Sequence, residues 1–258
     1  MASRERERSV AVWLQFALPL VGAVALAAAA RPLFTEVFTE QVMAQWIVHP
    51  ATVAGGCWAG LLWYAGRGVE VDHIAGAVWR HVFGLANVLT LLRGGLYALV
   101  AGFAVVAPTP GLVWAPALCY GTGVVLDKLD GTVARTVGEQ TALGTRLDMA
   151  FDTFGFVAAP VVAVLWGRLP VWYLAISAAK YVYLAGIYAR RLRGVPVFDP
   201  PDSDLGKYLA GVQMVFITVA LVPAVPVDLV WTAAPLVLAP SLLVFGRDYL
   251  YVSGRLPR

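Results

Sequence analysis

Charge is scarce in this sequence. Only 14% of its 258 residues are Asp, Glu, Lys or Arg, where a soluble domain of this size carries about a quarter. With 60% hydrophobic residues and a mean hydropathy of +0.74, the shortage excludes an ordinary soluble globular enzyme and points to a polytopic membrane protein. Cysteine is nearly absent too. Cys57 and Cys119 lie in separate apolar runs with no CxxC, which excludes a disulfide framework and a structural zinc site. His49, His73 and His81 show no metal-ligand spacing, and Ser203, Gly206 and Lys207 lack the GxxxxGK frame of a phosphate-binding loop. There is no internal repeat and no low-complexity tract.

Long apolar runs are what the chain has in abundance. Stretches able to cross a ~30 Å hydrocarbon layer as helices fall at about 10–30, 47–65, 91–107, 111–129, 147–166, 170–189, 208–225 and 229–245. Proline and glycine at 108–111, 167–170 and 223–226 predict tight turns between them. Placed on alternating sides, these eight spans put sixteen of the nineteen basic residues on one face. That face is expected to be cytoplasmic, with both termini on it. Arg31 and Arg168 fall on the other face, and Lys180 falls inside a span. The amino-terminal run has the basic start and small-residue end of a signal peptide. Its apolar part is long and glutamates interrupt its basic part, so it reads as a span. Ile74, Val78, Val82 and Leu85 share a helical face, which suits an amphipathic helix along the cytoplasmic interface; a soluble connector is the alternative. Gly56 and Gly60 have a spacing suited to close helix packing.

Against this background the stretch 127–152, DKLDGTVARTVGEQTALGTRLDMAFD, is anomalous: it holds four aspartates. Asp127 and Asp130 are spaced i, i+3, and Asp148 and Asp152 are spaced i, i+4, so each pair shares one helical face. An antiparallel arrangement of the two helices brings all four together near the membrane surface. Two carboxylates ~4 Å apart repel by ~4 kcal/mol at an effective dielectric of 20, and divalent cations relieve this. All-oxygen ligands suit Mg²⁺, Mn²⁺ or Ca²⁺, and two such ions ~3.5–4 Å apart form a clamp for phosphoryl displacement. Gly131, Ala134 and Gly144 leave room for a ligand beside the acids. Arg135 presents a planar fork suited to a phosphate or to a carboxylate partner. Ordinary salt bridges, Asp127 with Lys128 or Arg135 and Asp148 with Arg146, are the plain alternative for each acid taken singly.

The pattern Asp127-x2-Asp130-Gly131-x2-Ala134-Arg135-x8-Gly144-x3-Asp148-x3-Asp152 resembles the signature of the CDP-alcohol phosphotransferases at every fixed position. ANVLTLLRG at 86–94 is similar to that family's PNxLTxxR opening, with Ala86 in place of proline. The resemblance implies an all-α fold: an interfacial helix and a six-helix membrane core over 81–258, with 1–80 adding two spans. It further implies attack by an alcohol on the lipid-linked phosphorus of a CDP-lipid, with release of CMP. Asp127, Asp130, Asp148 and Asp152 would hold metal, expected to be two Mg²⁺ or Mn²⁺ ions, and Asp152 would also act as general base. Gly131, Ala134, Arg135 and Gly144 would bind the nucleotide.

For the acceptor, Arg93, Lys180, Arg190, Arg191, Arg193 and Lys207 are the candidate residues. Anchoring of helix ends to anionic headgroups is the alternative for the arginines at 190–193 and for Lys207. Arg93 could equally snorkel to the interface. SDLGKYLAGVQMV at 203–215 resembles the GKxKTxxQ segment of glycerophosphate-using members, but Leu209 and Ala210 replace Lys-Thr. Glycerol 3-phosphate is the first expectation, with inositol phosphate or serine as alternatives, and a CDP-diacylglycerol or CDP-archaeol donor. Partners are membrane lipids and a second copy of the chain; no nucleic acid is expected. Outside the family, a cation transporter could use the same acids, yet they sit at one membrane face with no acidic path across.

Overall fold

In the computed structural model the described residues are 49–66, 85–137, 142–198 and 204–256, with side chains at 65–66, 85–87, 130–137 and 142–143 not described. The expected first span, the interfacial helix and the segment 199–203 lie outside them. Seven α-helices are described: α1 His49–Gly66, α2 Leu85–Gly102, α3 Ala115–Val137, α4 Ala142–Leu165, α5 Ala175–Leu192, α6 Asp204–Leu221 and α7 Val227–Val252. Short 3₁₀ turns follow α2 at Phe103–Val105 and precede α5 at Val171–Leu174. No strand occurs among the described residues, in keeping with the expected all-α class.

Among the described residues, four helices are long and apolar enough to cross a membrane: Val88–Val105, Gly144–Leu165, Asp204–Leu221 and Val227–Val252. Helices α3 and α5 fall short because charge interrupts them, Asp127, Lys128 and Asp130 in one and Lys180, Arg190 and Arg191 in the other. Glycine, tryptophan and histidine dilute α1. Large apolar side chains stand exposed along most of these helices, among them Leu92, Leu118, Val182, Leu236 and Leu243. Facing water, so much apolar surface would be an aggregation liability; facing lipid it is the expected exterior. The chain is an integral membrane protein.

The chain divides into two compact units, one from Met1–Ala107 with Val125–Phe154, the other from Pro108–Val124 with Gly155–Arg258. In the first, α2 sets Arg93, Tyr97 and Val100 into the interior at helical spacing while Leu92 and Leu99 face out. Helix α1 packs on α2 closely: a Cβ on Gly102 would stand 2.5 Å from the Pro50 carbonyl oxygen. Gly56 and Gly60, by contrast, have nothing among the described residues within 4 Å where a Cβ would sit, and the close approach of α1 to α2 is made at Gly102.

The second unit is tied by buried polar groups. The Tyr173 hydroxyl donates to Gln213 Oε1, and Gln213 Nε2 donates to the Val237 carbonyl and to Ser241 Oγ, both at 2.9 Å. These bonds join the 3₁₀ turn, α6 and α7 where no water can substitute. Pro160 inside α4 cannot donate to the Phe156 carbonyl, and Ser177 Oγ donates to that oxygen instead, at 2.6 Å. Arg168 donates to the carbonyls of Ala220, Val222 and Val225 at 2.7–2.8 Å, capping α6 and the turn after it. Burial lowers the Arg168 guanidinium from its ordinary value, but an arginine starts so high that it stays charged. The three predicted turns are present, and Gly167, at φ +69°, makes the left-handed end of α4 that an L-residue would resist.

Candidate active site

The acidic segment folds as the last turns of α3 and the first turns of α4, all within the first unit. Along α4 the positions Leu147 and Phe151 are almost wholly buried, at 1% and 0% exposure. Asp148 and Asp152, one position on in each case, lie about 100° further round the helix and stay partly open, at 45% and 36%. One stripe of α4 therefore anchors the helix while the adjacent stripe presents two carboxylates. Asp127 on α3 completes the group at 17% exposure. One oxygen from each of the three lies within 4.8 Å of the others.

Arg93 is the cation at their centre. Its side chain is fully buried, and its guanidinium pairs with Asp127 through Nη1 and with Asp148 through Nη2. Nη1 also stands 3.4 Å from Asp152 Oδ1, and Nη2 donates to the Asp148 main-chain oxygen at 3.4 Å. The next residue, Gly94, explains how the guanidinium reaches α4: the Phe151 ring lies against the Gly94 Cα, in space a Cβ would fill. Lys128 touches Asp127 Oδ2 from solvent at 3.5 Å, with 71% of its side chain exposed, and such a contact contributes little.

These three carboxylates fit a divalent cation. They offer oxygen only, the donor type of Mg²⁺ and Mn²⁺, and within 4.8 Å of one another each pair repels by at least about 3 kcal/mol at an effective dielectric of 20. One buried guanidinium cannot offset three acids, so the group can accept a metal ion. Asp130, Gly131, Ala134 and Arg135 lie on α3, with side chains outside the described residues. Gly144 lies on the first turn of α4, half-buried.

The other candidate residues belong to the second unit. Arg190 donates to the main-chain oxygens of Pro196 and Ser253 at 2.9 and 3.0 Å, holding the chain after α5 to the end of α7. Arg191 and Arg193 are exposed and Lys180 is half-buried. Lys207 is 81% exposed and 3.3 Å from Asp204, an i, i+3 pair. Arg247 and Asp248 form the expected end-of-span pair at 2.8 Å. Sequence reasoning missed the Gly94–Phe151 seat, the use of Arg93 against the acids, and the interior polar role of Gln213. For Arg93 a signal was present, since an arginine within a span requires a partner.

A family model described as CDP-alcohol phosphatidyltransferase matches residues 83–240. Among curated proteins, one from Mycobacterium tuberculosis provisionally named cardiolipin synthase is 29% identical over 176 residues, covering 66% of this chain and 78% of its own length. A Mycobacterium bovis protein with the same provisional name shows the same figures. A second M. tuberculosis protein, provisionally named phosphatidylglycerophosphate synthase, is 29% identical over 190 residues, covering 70% of this chain and 86% of its own. No solved structure matches the chain significantly. The family's members act on CDP-lipids and alcohols within membranes, and this chain is accordingly a transferase of phosphate-containing groups in phospholipid synthesis. With more than half of its length matched, including the whole aspartate segment, the chain belongs to the CDP-alcohol phosphatidyltransferase family.

Proposed function

We propose that the protein transfers a phosphatidyl-type group from a CDP-lipid to an alcohol, first of all glycerol 3-phosphate, and releases CMP on the cytoplasmic face of the membrane. The observation that carries this reading is the convergence of Asp127, Asp148 and Asp152 within a complete family signature. Asp127, Asp130, Asp148 and Asp152 would hold two Mg²⁺ ions, which when bound neutralise the diphosphate and the charge that develops on the departing CMP. Asp152 takes the proton of the acceptor hydroxyl as its oxygen attacks the lipid-linked phosphorus. An unperturbed Asp has a pKa of ~3.9, so it can serve as base only for a hydroxyl already polarised in the site. Gly131, Ala134, Arg135 and Gly144 flank the nucleotide, and 81–258 forms the catalytic core with 1–80 as an extension. Lys180, Arg190, Arg191, Arg193 and Lys207 are the source of positive charge for a phosphorylated acceptor. Arg93 is set apart from that group because its guanidinium is engaged by the acids.

A second acceptor class has support. Two relatives are named for cardiolipin synthesis, and for this chain we take a lipid alcohol, phosphatidylglycerol, as the second candidate acceptor. Leu209 and Ala210 agree with it, being apolar where the GKxKTxxQ segment of glycerophosphate-using members has Lys-Thr. Gln213 also weakens the glycerol 3-phosphate reading, since its amide is spent on Tyr173, Val237 and Ser241. Purified protein with CDP-diacylglycerol and Mg²⁺, given glycerol 3-phosphate or phosphatidylglycerol in separate reactions, decides by product mass. CMP release with neither, nor with inositol phosphate or serine, would refute an alcohol transferase of this kind.

A further inference from the structure

We infer that Arg93 is a positioning residue for the metal site: an internal cation whose forked guanidinium hydrogen-bonds Asp127 and Asp148, stands 3.4 Å from Asp152, and thereby sets the carboxylates of two helices in register for a divalent ion. The inference rests on the metal-dependent reading of the acidic cluster given above.

Three observations on Arg93 combine. Its side chain is completely buried, which a charged group tolerates only when its partners are fixed. Its contacts divide between helices: Nη1 reaches Asp127 on α3 and Asp152 on α4, and Nη2 reaches the Asp148 carboxylate and main-chain oxygen. These three ion pairs are each made through the Oδ1 oxygen of the acid. Carboxylates that bind metal are commonly oriented by an outer partner in this way. The guanidinium supplies a rigid two-pronged reach that a lysine ammonium, a single point charge, cannot reproduce. Gly94 secures the arrangement by letting the Phe151 ring close on α2 beside Arg93.

Charge and orientation act in opposite directions here, and that makes the inference testable. A cation beside the site repels an incoming metal ion, while the fork prepares the ligands for it. Arg93→Lys keeps the repulsion and loses the fork; Arg93→Gln loses both. Mn²⁺ binding to the full-length chain in detergent micelles, read by the electron paramagnetic resonance of free and bound Mn²⁺, compares them. Expected is a loss of about 10–100-fold in affinity for Arg93→Lys, with a smaller loss for Arg93→Gln. Wild-type affinity in Arg93→Lys would overturn the inference. Failure of the wild-type chain to bind Mn²⁺, with CMP release intact in chelator, would instead overturn the metal-dependent reading beneath it. Should both variants fail to fold, Arg93→Gln combined with Asp127→Asn removes one charge of each sign. A folded double variant that binds Mn²⁺ about 10-fold or more weakly than Asp127→Asn alone supports the inference, and one that binds as tightly as Asp127→Asn alone overturns it.

Discussion

At the scale of single residues, the proposed chemistry depends on α4 turning two faces at once. Leu147 and Phe151 hold the helix in the interior, and Asp148 and Asp152 follow each by one position. Asp148→Asn and Asp152→Asn keep the shape and remove the charge. Each is expected to lower CMP release by at least about 10²-fold, the lower end for loss of a positioned acid or base, with the folded protein still recovered from membranes. Full release by both variants in a radiolabelled-nucleotide assay would refute the roles given to them. The aspartates were legible in the sequence because their spacing matches a helical period and because acids are rare in so apolar a chain. Arg93 was legible only as a charge in a span; whether it met substrate, lipid headgroup or carboxylate depended on a tertiary contact 34 residues away at Asp127 and 55 away at Asp148.

At the scale of elements, packing relies on a few close approaches. Gly94 and Gly95 are neighbours on α2 and make a controlled pair. A Cβ at 94 would collide with the Phe151 ring, whereas a Cβ at 95 has nothing among the described residues within 4 Å. Gly94→Ala should destabilise by about 1–3 kcal/mol, as overpacking does. Gly95→Ala should be neutral or stabilising by up to about 1 kcal/mol, since alanine is the better helix former. Thermal unfolding in a fixed detergent checks both, and equal melting temperatures for the two variants would contradict the seat. In the second unit, Gln213→Leu would strip partners from Tyr173 and Ser241 and should cost about 1–3 kcal/mol for the polar groups left unsatisfied. The same measurement tests it. Helix positions and turns were readable from apolar periodicity and from Pro/Gly punctuation. The polar ties were not, because Gln213 and Ser177 look like ordinary span residues until their partners on other helices are known. Gln213 fills the glutamine position of the GKxKTxxQ resemblance, and its burial gives it a place in the interior instead.

At the scale of the whole molecule, orientation follows from where the basic residues fall. We expect the acidic cluster to face the cytoplasm. With Cys57 and Cys119 replaced by serine, a single cysteine at the exposed Lys128 should react with a membrane-impermeant maleimide only in inverted vesicles. One at the exposed Val171 should react only in right-side-out vesicles. The opposite pattern would reverse the topology. Four described helices meet the length and composition of membrane spans where the apolar runs suggested more. Part of the difference has a physical origin, since charge sits inside α3 and α5 and lowers their apolar content, while the first expected span lies outside the described residues.

Helix α1 lies outside the matched stretch 83–240, yet the Pro50 carbonyl rests on Gly102 of α2, within it. Grafting 1–66 onto a relative would therefore succeed only if the recipient kept a bare backbone at the equivalent of Gly102; any larger side chain there would hold the transplanted helix away and leave it unseated.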